Sequence, residues 1–342
     1  MFEKFCKSDN SFVIAEVGQN HQGDPELAIE YIRVFANAGA NAIKFQTRDN
    51  KHLFSEEAYE APYHSENAFA PTYGKHREAL ELDTKYLPLL KKECESQGVF
   101  FMSTPFDEPS LGILDSLNTD ILKVASFDIG NLPFLDKIGK TRRPVVMSIG
   151  GGKLEHVIDS VHVIQKYHSD ISILHCVSEY PCEYRKLGLE NIKRLIQKFP
   201  NLAIGLSDHF NGTLSGPIAY TLGARIFEKH VTLNRSNKGT DHSFALEPEG
   251  FRKFSRDINR VKDMYKVKDE SELGKEYVFQ KLGKSIIASQ NILEGEAITI
   301  DNLSGKIFTH THIPVRDSNK IIGKKANRNI IAGEPIQFTD LY

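Results

Sequence analysis

The chain has 342 residues, 40% of them hydrophobic and 26% charged, with a formal net charge of −2. That composition suits a globular protein with room for one large domain and one small one. It excludes the global basic field that nucleic acid or an anionic membrane would require, and no apolar run approaches the roughly 20 residues of a membrane span.

The first residues, MFEKFCKSDNSF, carry no apolar stretch followed by a cleavage pattern, so no signal peptide is expected. Eight short apolar runs then alternate with helical stretches: 12–17, 42–46, 99–103, 121–125, 144–148, 171–176, 202–206 and 225–229. Residues 25–38 hold Leu27, Tyr31, Ile32 and Phe35 at helical spacing. A second helix follows Asp83-Thr84 and stops at Gly98. Stretches 153–167, 187–199 and 213–223 repeat the pattern, and another helix ends near Val267. Strand–helix alternation repeated eight times predicts a (β/α)8 TIM barrel; a doubly wound sheet would have fewer strands.

One connection is too long for the pattern. Residues 47–82 separate the second strand from its helix and hold Tyr59, Tyr63, His64, Tyr73, His76 and Arg77. That aromatic content predicts an ordered lid near the barrel mouth, the alternative being a plain surface excursion. Beyond 267 the composition changes. Asn291-Ile292, Gly295-Glu296 and Ile298 recur as Asn329-Ile330, Gly333-Glu334 and Ile336, at an offset of 38. Two matched half-units predict a small pseudo-symmetric β-rich domain. The expected organisation is a catalytic barrel over 1–267, a linker over 268–282 and the small domain over 283–342.

The chemistry of a barrel lies at the carboxyl ends of its strands. Strand one ends at Glu16, followed by Gly18-Gln19-Asn20-His21; strand two gives Lys44, Gln46 and Thr47. Strands three and four give Ser103, Thr104, Lys123, Ser126 and Asp128. Strands five and six give Ser148, a Gly150–Gly152 turn, His175, Ser178 and Tyr180. The last two give Ser207, Asp208, His209, Lys229 and His230, with Asp241 and His242 beyond. Lysines, hydroxyls and a glycine turn suit a phosphate or similar anion. Lys44 and Lys123 sit within apolar runs, where an unpaired ammonium is costly. A bound anion, a Schiff-base role for one lysine, or an internal salt bridge such as Lys44 with Glu16 would each account for them.

His209 and His230 end consecutive strands and are candidate metal ligands, the alternative being hydrogen-bonded loop histidines. With only two such ligands, Mn²⁺ or Mg²⁺ completed by water and substrate oxygens is expected rather than Zn²⁺. Cys6, Cys94, Cys176 and Cys182 form no metal-binding or redox pair, which points to reduced thiols in the cytoplasm. Cys176 reads as a small buried residue rather than a nucleophile.

The stretches IAEVGQNHQG, IKFQT, FMSTPFD, LKVAS, IGLSDH, FEKHVT and GTDHSFALEP run through the barrel in order, and GKSIIASQNILEGEAIT opens the small domain. In these the chain resembles the sialic acid synthase family, whose C-terminal module is the antifreeze-like or SAF domain. The resemblance implies condensation of phosphoenolpyruvate with an N-acylated sugar aldehyde to a sialic-acid-like nonulosonic acid and phosphate. It implies His209 and His230 as metal ligands, and Lys44, Thr104, Lys123, Ser126, Ser148 and Ser207 around phosphoenolpyruvate. Glu16, Gln46, Tyr180 and Asp241 would meet the acceptor, and Asp128 or Asp241 would take a proton from water; Thr47 and Ser178 are counted with the substrate contacts. It also implies a homodimer in which each small domain caps the partner's barrel.

Three positions depart from the family pattern. Asp128 stands where a glutamate is frequent, and Ser178 where an asparagine is found. A Lys-Arg-Pro motif in the small domain is replaced by Lys306-Ile307-Phe308, leaving Arg316 as the substitute for its arginine. The alternatives are a Schiff-base aldolase, a synthase of another 2-keto-3-deoxy sugar acid, and a sugar-binding scaffold without turnover.

Overall fold

The computed structural model describes residues 1–342 and divides into two compact units, Met1–Tyr265 and Lys266–Tyr342. The first is a closed barrel of eight parallel strands in sequence order. These are β1 (Phe12–Gly18), β2 (Ala42–Thr47), β3 (Phe100–Pro105), β4 (Ile121–Val124), β5 (Val145–Ser148), β6 (Ile171–Cys176), β7 (Ala203–Asp208) and β8 (Ile226–His230). The predicted runs all lie on strands, with ends displaced by a residue or two. No helix is long and apolar enough to cross a membrane.

Helix α1 (Pro25–Asn37) shows how local chemistry sets the pattern. Asp24 caps it, accepting from the backbone N–H of Glu26 (2.8 Å) and Leu27 (3.2 Å), and Pro25 fixes the first turn. Its apolar stripe of Tyr31, Ile32 and Phe35 is buried against the barrel. The 47–82 excursion is three short helices, α2 (Asn50–Leu53), α3 (Glu56–Glu60) and α4 (Tyr73–Glu78), folded on one another through the rings of Phe54, Tyr63, Tyr73 and His76. Helices α5 (Leu87–Ser96), α6 (Glu108–Ser116), α7 (Leu132–Lys140), α8 (Leu154–Gln165), α9 (Asn191–Lys198), α10 (Ser215–Thr221) and α11 (Pro248–Met264) complete the outer ring.

Side chains alternate between the two faces of each strand, which gives the first unit two cores. Outward residues such as Phe45, Phe101, Leu122, Met147 and Phe227 pack under the helices. Inward residues Ile14, Ala42, Met102, Ile121, Val146, Leu174 and Ile226 fill the lower barrel, and Phe2 and Phe5 of an N-terminal 3-10 turn belong to that same cluster. The barrel is therefore solid below and open only at its carboxyl end. At Gly205 on β7 an added Cβ would stand 2.0 Å from the Ile226 carbonyl oxygen, so the close approach of these strands requires glycine.

The second unit holds α12 (Tyr277–Leu282) and an antiparallel pair, β9 (Lys284–Ala288) and β10 (Leu303–Ile307), over a core of isoleucines. The sequence repeat is a structural one. Asn329 Oδ1 accepts from Glu294 N (2.8 Å), and Asn291 Oδ1 accepts from Ala332 N (2.9 Å). Glu296 and Glu334 each accept from the backbone N–H three residues before them, Leu293 and Ile331. Gly295 (φ +82°) and Gly333 (φ +87°) make the matching left-handed turns. This reciprocity explains why asparagine, glycine and glutamate recur at fixed spacing.

Candidate active site

Alternation sends Glu16, Lys44, Gln46, Thr104, Lys123, Ser148, Cys176, Ser207 and Glu228 into the upper barrel. With Ser126, Phe127, Tyr180, His209 and His230 they line a narrow cavity of about 60 Å³. Four of these side chains carry charge, and none is more than 4% exposed. Lys44 Nζ lies 2.8 Å from Glu16 Oε2 and 3.7 Å from Glu228 Oε2, and it donates to Thr104 Oγ1 at 3.4 Å. Lys123 Nζ donates to Ser148 Oγ (2.7 Å) and the Val124 carbonyl (2.9 Å), and lies 4.0 Å from Glu228 Oε2. Ser207 donates to Glu228 Oε1 at 3.0 Å. The cluster is neutral, two cations against two anions, which is how it escapes a desolvation cost of several kcal/mol per ion.

The charges are not equivalent. Burial lifts the Glu16 carboxyl, and Lys44 only partly offsets it. Burial works against the Glu228 carboxylate too, but Lys123 and Lys44 outweigh it and hold that carboxyl well below its usual range. Burial opposes the Lys44 charge, but Glu16 and Glu228 keep it a firmer cation than usual. Lys123 is lowered, chiefly by burial.

Above this cavity opens a wider one of about 270 Å³, lined by Gln46, Arg48, Arg77, Phe127, Tyr180, His230, Thr240 and Asp241. The lid supplies Arg77 from α4, whose Nε and Nη2 donate to Tyr73 Oη at 3.1 and 2.8 Å. Arg48 stacks over Phe106 and pairs with Glu81 at 2.7 Å. A β-bulge between Glu16 and Gly18 ends β1. Gly18 has φ +59°, and a Cβ there would stand 3.4–3.5 Å from Gln46, Glu16 and Asp241, so the strand end brings its backbone close to three polar side chains.

The rings of His209 and His230 are 5.5 Å apart at the boundary of the two cavities, with Tyr180 over His209 at 4.0 Å. His209 Nδ1 donates to the Val177 carbonyl at 2.7 Å, which leaves its Nε2 lone pair free. His230 Nδ1 is buried without a hydrogen-bond partner, and Asp241 Oδ2 lies 3.8 Å away. Both imidazoles thus keep a nitrogen that is not used in a hydrogen bond, and these two residues would be the ones to hold a divalent ion. No group of three His, Cys, Asp or Glu side chains could hold an ion. The pair therefore offers two imidazole donors and no third protein ligand.

Several sequence-derived candidates lie elsewhere, most of them for the same reason. Thr47 follows inward Gln46 and so faces outward, bonded to Ser103 Oγ at 2.8 Å. Asp208 and Lys229 form an outward ion pair of 2.7 Å, fully buried. His175 faces outward and bonds the Leu187 carbonyl at 2.6 Å. Asp128 lines neither cavity; its carboxylate accepts from Asn131 Nδ2 at 3.0 Å. Ser178 lines neither, and its hydroxyl is buried without a partner, 2.2 Å from where a Cβ on Gly150 would stand. Arg316 belongs to the second unit, with its guanidinium over Phe279. Conversely, Glu228, Arg48 and Glu81 were not singled out. Glu228 was legible: counting back two from His230 puts it on the inward face. Arg48 and Glu81 had no periodic signal.

The NeuB family model matches residues 31–270, and the SAF domain model matches residues 283–341. A human N-acetylneuraminate-9-phosphate synthase is 34% identical over 315 residues, covering 92% of this chain and 88% of that protein. The N,N'-diacetyllegionaminic acid synthase of Campylobacter jejuni is 32% identical over 96% of this chain and 99% of that protein. Among solved structures, an N-acetylneuraminic acid synthetase from Leptospira borgpetersenii, in complex with citrate, superposes with a TM-score of 0.69 at 32% identity, covering 78% of this chain and 90% of that one. The chain belongs to the NeuB family and is an enzyme of the sialic acid synthase type.

Proposed function

We propose that this NeuB-family enzyme condenses phosphoenolpyruvate with the aldehyde of an N-acylated amino sugar, giving a nonulosonic acid and inorganic phosphate. The observation that carries the reading is the stacking of two chemistries in one barrel mouth. Two buried ammonium groups, Lys44 and Lys123, lie deep among hydroxyls, and an imidazole pair lies where the wider cavity begins.

Phosphoenolpyruvate would direct its anionic groups into the deep cavity, toward Lys44, Lys123 and the hydroxyls of Thr104, Ser126, Ser148 and Ser207, with its remainder reaching the wider cavity above. The sugar fits the outer cavity against Gln46, Tyr180 and Asp241. A Mn²⁺ or Mg²⁺ ion on His209 and His230 would supply Lewis-acid polarisation of the aldehyde. The C2–C3 double bond of phosphoenolpyruvate opens as C3 bonds to the aldehyde carbon, the aldehyde oxygen takes a proton to become a hydroxyl, and positive charge develops at C2. Water adds to C2 and gives its proton to a carboxylate. Asp128 stands outside both cavities, which leaves Asp241 of the outer cavity or Glu16 of the deep one, whose buried carboxyl is lifted above the usual range, to take that proton. The C2–O bond to phosphorus's oxygen then breaks, phosphate leaves with that oxygen, and the C2 hydroxyl loses its proton to leave the ketone. The lysine ammonium groups neutralise the departing anion.

A cytoplasmic homodimer, with the SAF unit completing the partner's site, belongs to the same proposal and is tested by sedimentation of the full chain. The enzymatic test is phosphate release from phosphoenolpyruvate with Mn²⁺ and a panel of N-acylated amino sugars. The panel includes free sugars and their phosphate esters, because the relatives' names include both kinds of product. Release that needs a sugar, stops with chelator and returns with Mn²⁺ supports the reading. No release with any member overturns it.

A further inference from the structure

Glu81 has no part in the chemistry above, yet it stands at the centre of a hydrogen-bonded chain that runs from the lid to the barrel interior. Its Oε1 accepts from Gln19 Nε2 and from Arg48 Nη1, both at 2.7 Å. Arg48 Nη2 donates in turn to the Gln46 side-chain carbonyl. With that oxygen engaged, Gln46 must present its amide nitrogen to Glu16, and Nε2 donates to Glu16 Oε1 at 2.8 Å. The second oxygen of Glu16 faces Lys44 at 2.8 Å. On the other branch, Gln19 spends its carbonyl on Arg77 Nη1 of the lid.

The polarity of this chain is set by one group. A carboxylate only accepts, so both neighbours of Glu81 must turn N–H groups toward it. Each side-chain amide along the chain is then fixed one way round. Three of the side chains so ordered, Gln46, Arg48 and Arg77, line the outer cavity. Glu81 itself lines neither cavity. Without its charge, Arg48 would be a largely buried cation with only a neutral amide and the Phe106 ring for company, and the carboxylates left within the mouth are Asp241, Glu16 and Glu228.

We infer that Glu81 is a positioning residue of the acceptor cavity, fixing Gln46, Arg48 and Arg77 through Arg48 and Gln19. The inference rests on the proposed two-substrate reaction for its kinetic consequence, and on geometry alone for the rest.

The test is the Glu81→Gln variant, which keeps the shape and removes the charge. The expected result is a KM for the sugar raised about tenfold or more with the KM for phosphoenolpyruvate within about threefold, since only the acceptor cavity is disordered. Glu81→Gln combined with Arg48→Met should cost clearly less than the sum of the two single losses, because the two variants share the Arg48 branch. Equal changes in both KM values that track a lower urea midpoint, or additive losses in the double variant, would make Glu81 a merely structural residue and overturn the inference. A crystal structure of Glu81→Gln decides the geometry without turnover. Displacement of Arg48 and Gln46 is expected, and an unchanged pair overturns the inference. If the wild-type enzyme turns over no sugar at all, the reaction reading fails while this structural result still decides the role of Glu81.

Discussion

Lys44 and Glu16, neighbours across the β1–β2 seam, form an ion pair of 2.8 Å with both side chains almost fully buried. The pair serves two purposes that mutation can separate. Lys44→Met should leave Glu16 buried and without its cation, costing about 3–5 kcal/mol of stability. The double variant Lys44→Met with Glu16→Leu should regain much of that stability, because two apolar groups replace two paired charges. Neither variant should release phosphate above about a thousandth of the wild-type rate if the ammonium neutralises the leaving group. Urea unfolding beside the phosphate assay checks both halves. Recovery of activity together with stability would make the pair a scaffold only.

The same pairing bears on the Schiff-base alternative. A lysine nucleophile must shed its proton, and Glu16 and Glu228 hold that of Lys44 in place. Burial lowers Lys123, but its ammonium is engaged by Ser148 and the Val124 carbonyl. Borohydride with pyruvate should therefore neither inactivate the enzyme nor modify a lysine. A reduced pyruvyl adduct on the peptide holding Lys44 or Lys123 would show the aldolase chemistry instead.

On the outer face of the barrel, Asp208 accepts from Lys229 (2.7 Å), Ser215 Oγ (2.5 Å) and the Phe210 backbone (3.0 Å). Lys229→Met leaves this carboxylate fully buried among apolar helices and should cost about 3–5 kcal/mol, or leave no folded protein. Lys229→Met with Asp208→Asn should be milder. Because neither residue lines a cavity, the kcat of whatever folded enzyme is recovered should be near wild type. A folded Lys229→Met enzyme with wild-type stability and no activity would place Lys229 in the chemistry.

In the second unit, Arg328 bridges Glu334 and Asp340, each at 2.8 Å. The Arg328 hydrogen bond holds the Glu334 carboxyl below its usual range; for Asp340 burial is the largest influence and raises it, but the Arg328 hydrogen bond and charge together with the Gln337 backbone N–H outweigh it. Folded values below unfolded ones mean stability that is present above about pH 4 and lost as the pH falls through the folded values. Arg328 is 42% exposed, so solvent screening limits the contribution to about 1 kcal/mol. Arg328→Met should therefore unfold at lower urea than wild type at pH 7, and the gap should close on acidification toward pH 3. A gap that persists at pH 3 would assign the loss to packing.

The eightfold alternation and the matched half-units of the small domain were legible, because each is enforced by periodicity or by repeated turn chemistry. Within the site, legibility followed the strands. Glu16, Lys44, Gln46, Thr104, Lys123, Ser148, Ser207, His209 and His230 converge as the strand ends implied. Thr47, Asp208 and Lys229 were carried along with their neighbours although a period of two sends them outward, and Glu228 was passed over although the same period sends it inward. The lid gave no such handle. Its aromatic residues signalled order, but the positions of Arg48, Arg77 and Glu81 depend on long-range pairing, which no local spacing encodes.

The central claim is that this barrel joins phosphoenolpyruvate to a sugar and cleaves the C–O bond. Phosphoenolpyruvate labelled with ¹⁸O at the bridging oxygen tests it most directly, incubated with Mn²⁺ and an accepted N-acylated amino sugar. The account predicts one phosphate per sugar consumed, carrying the label. Label retained in the sugar acid, or sugar consumption without phosphate release, would contradict it.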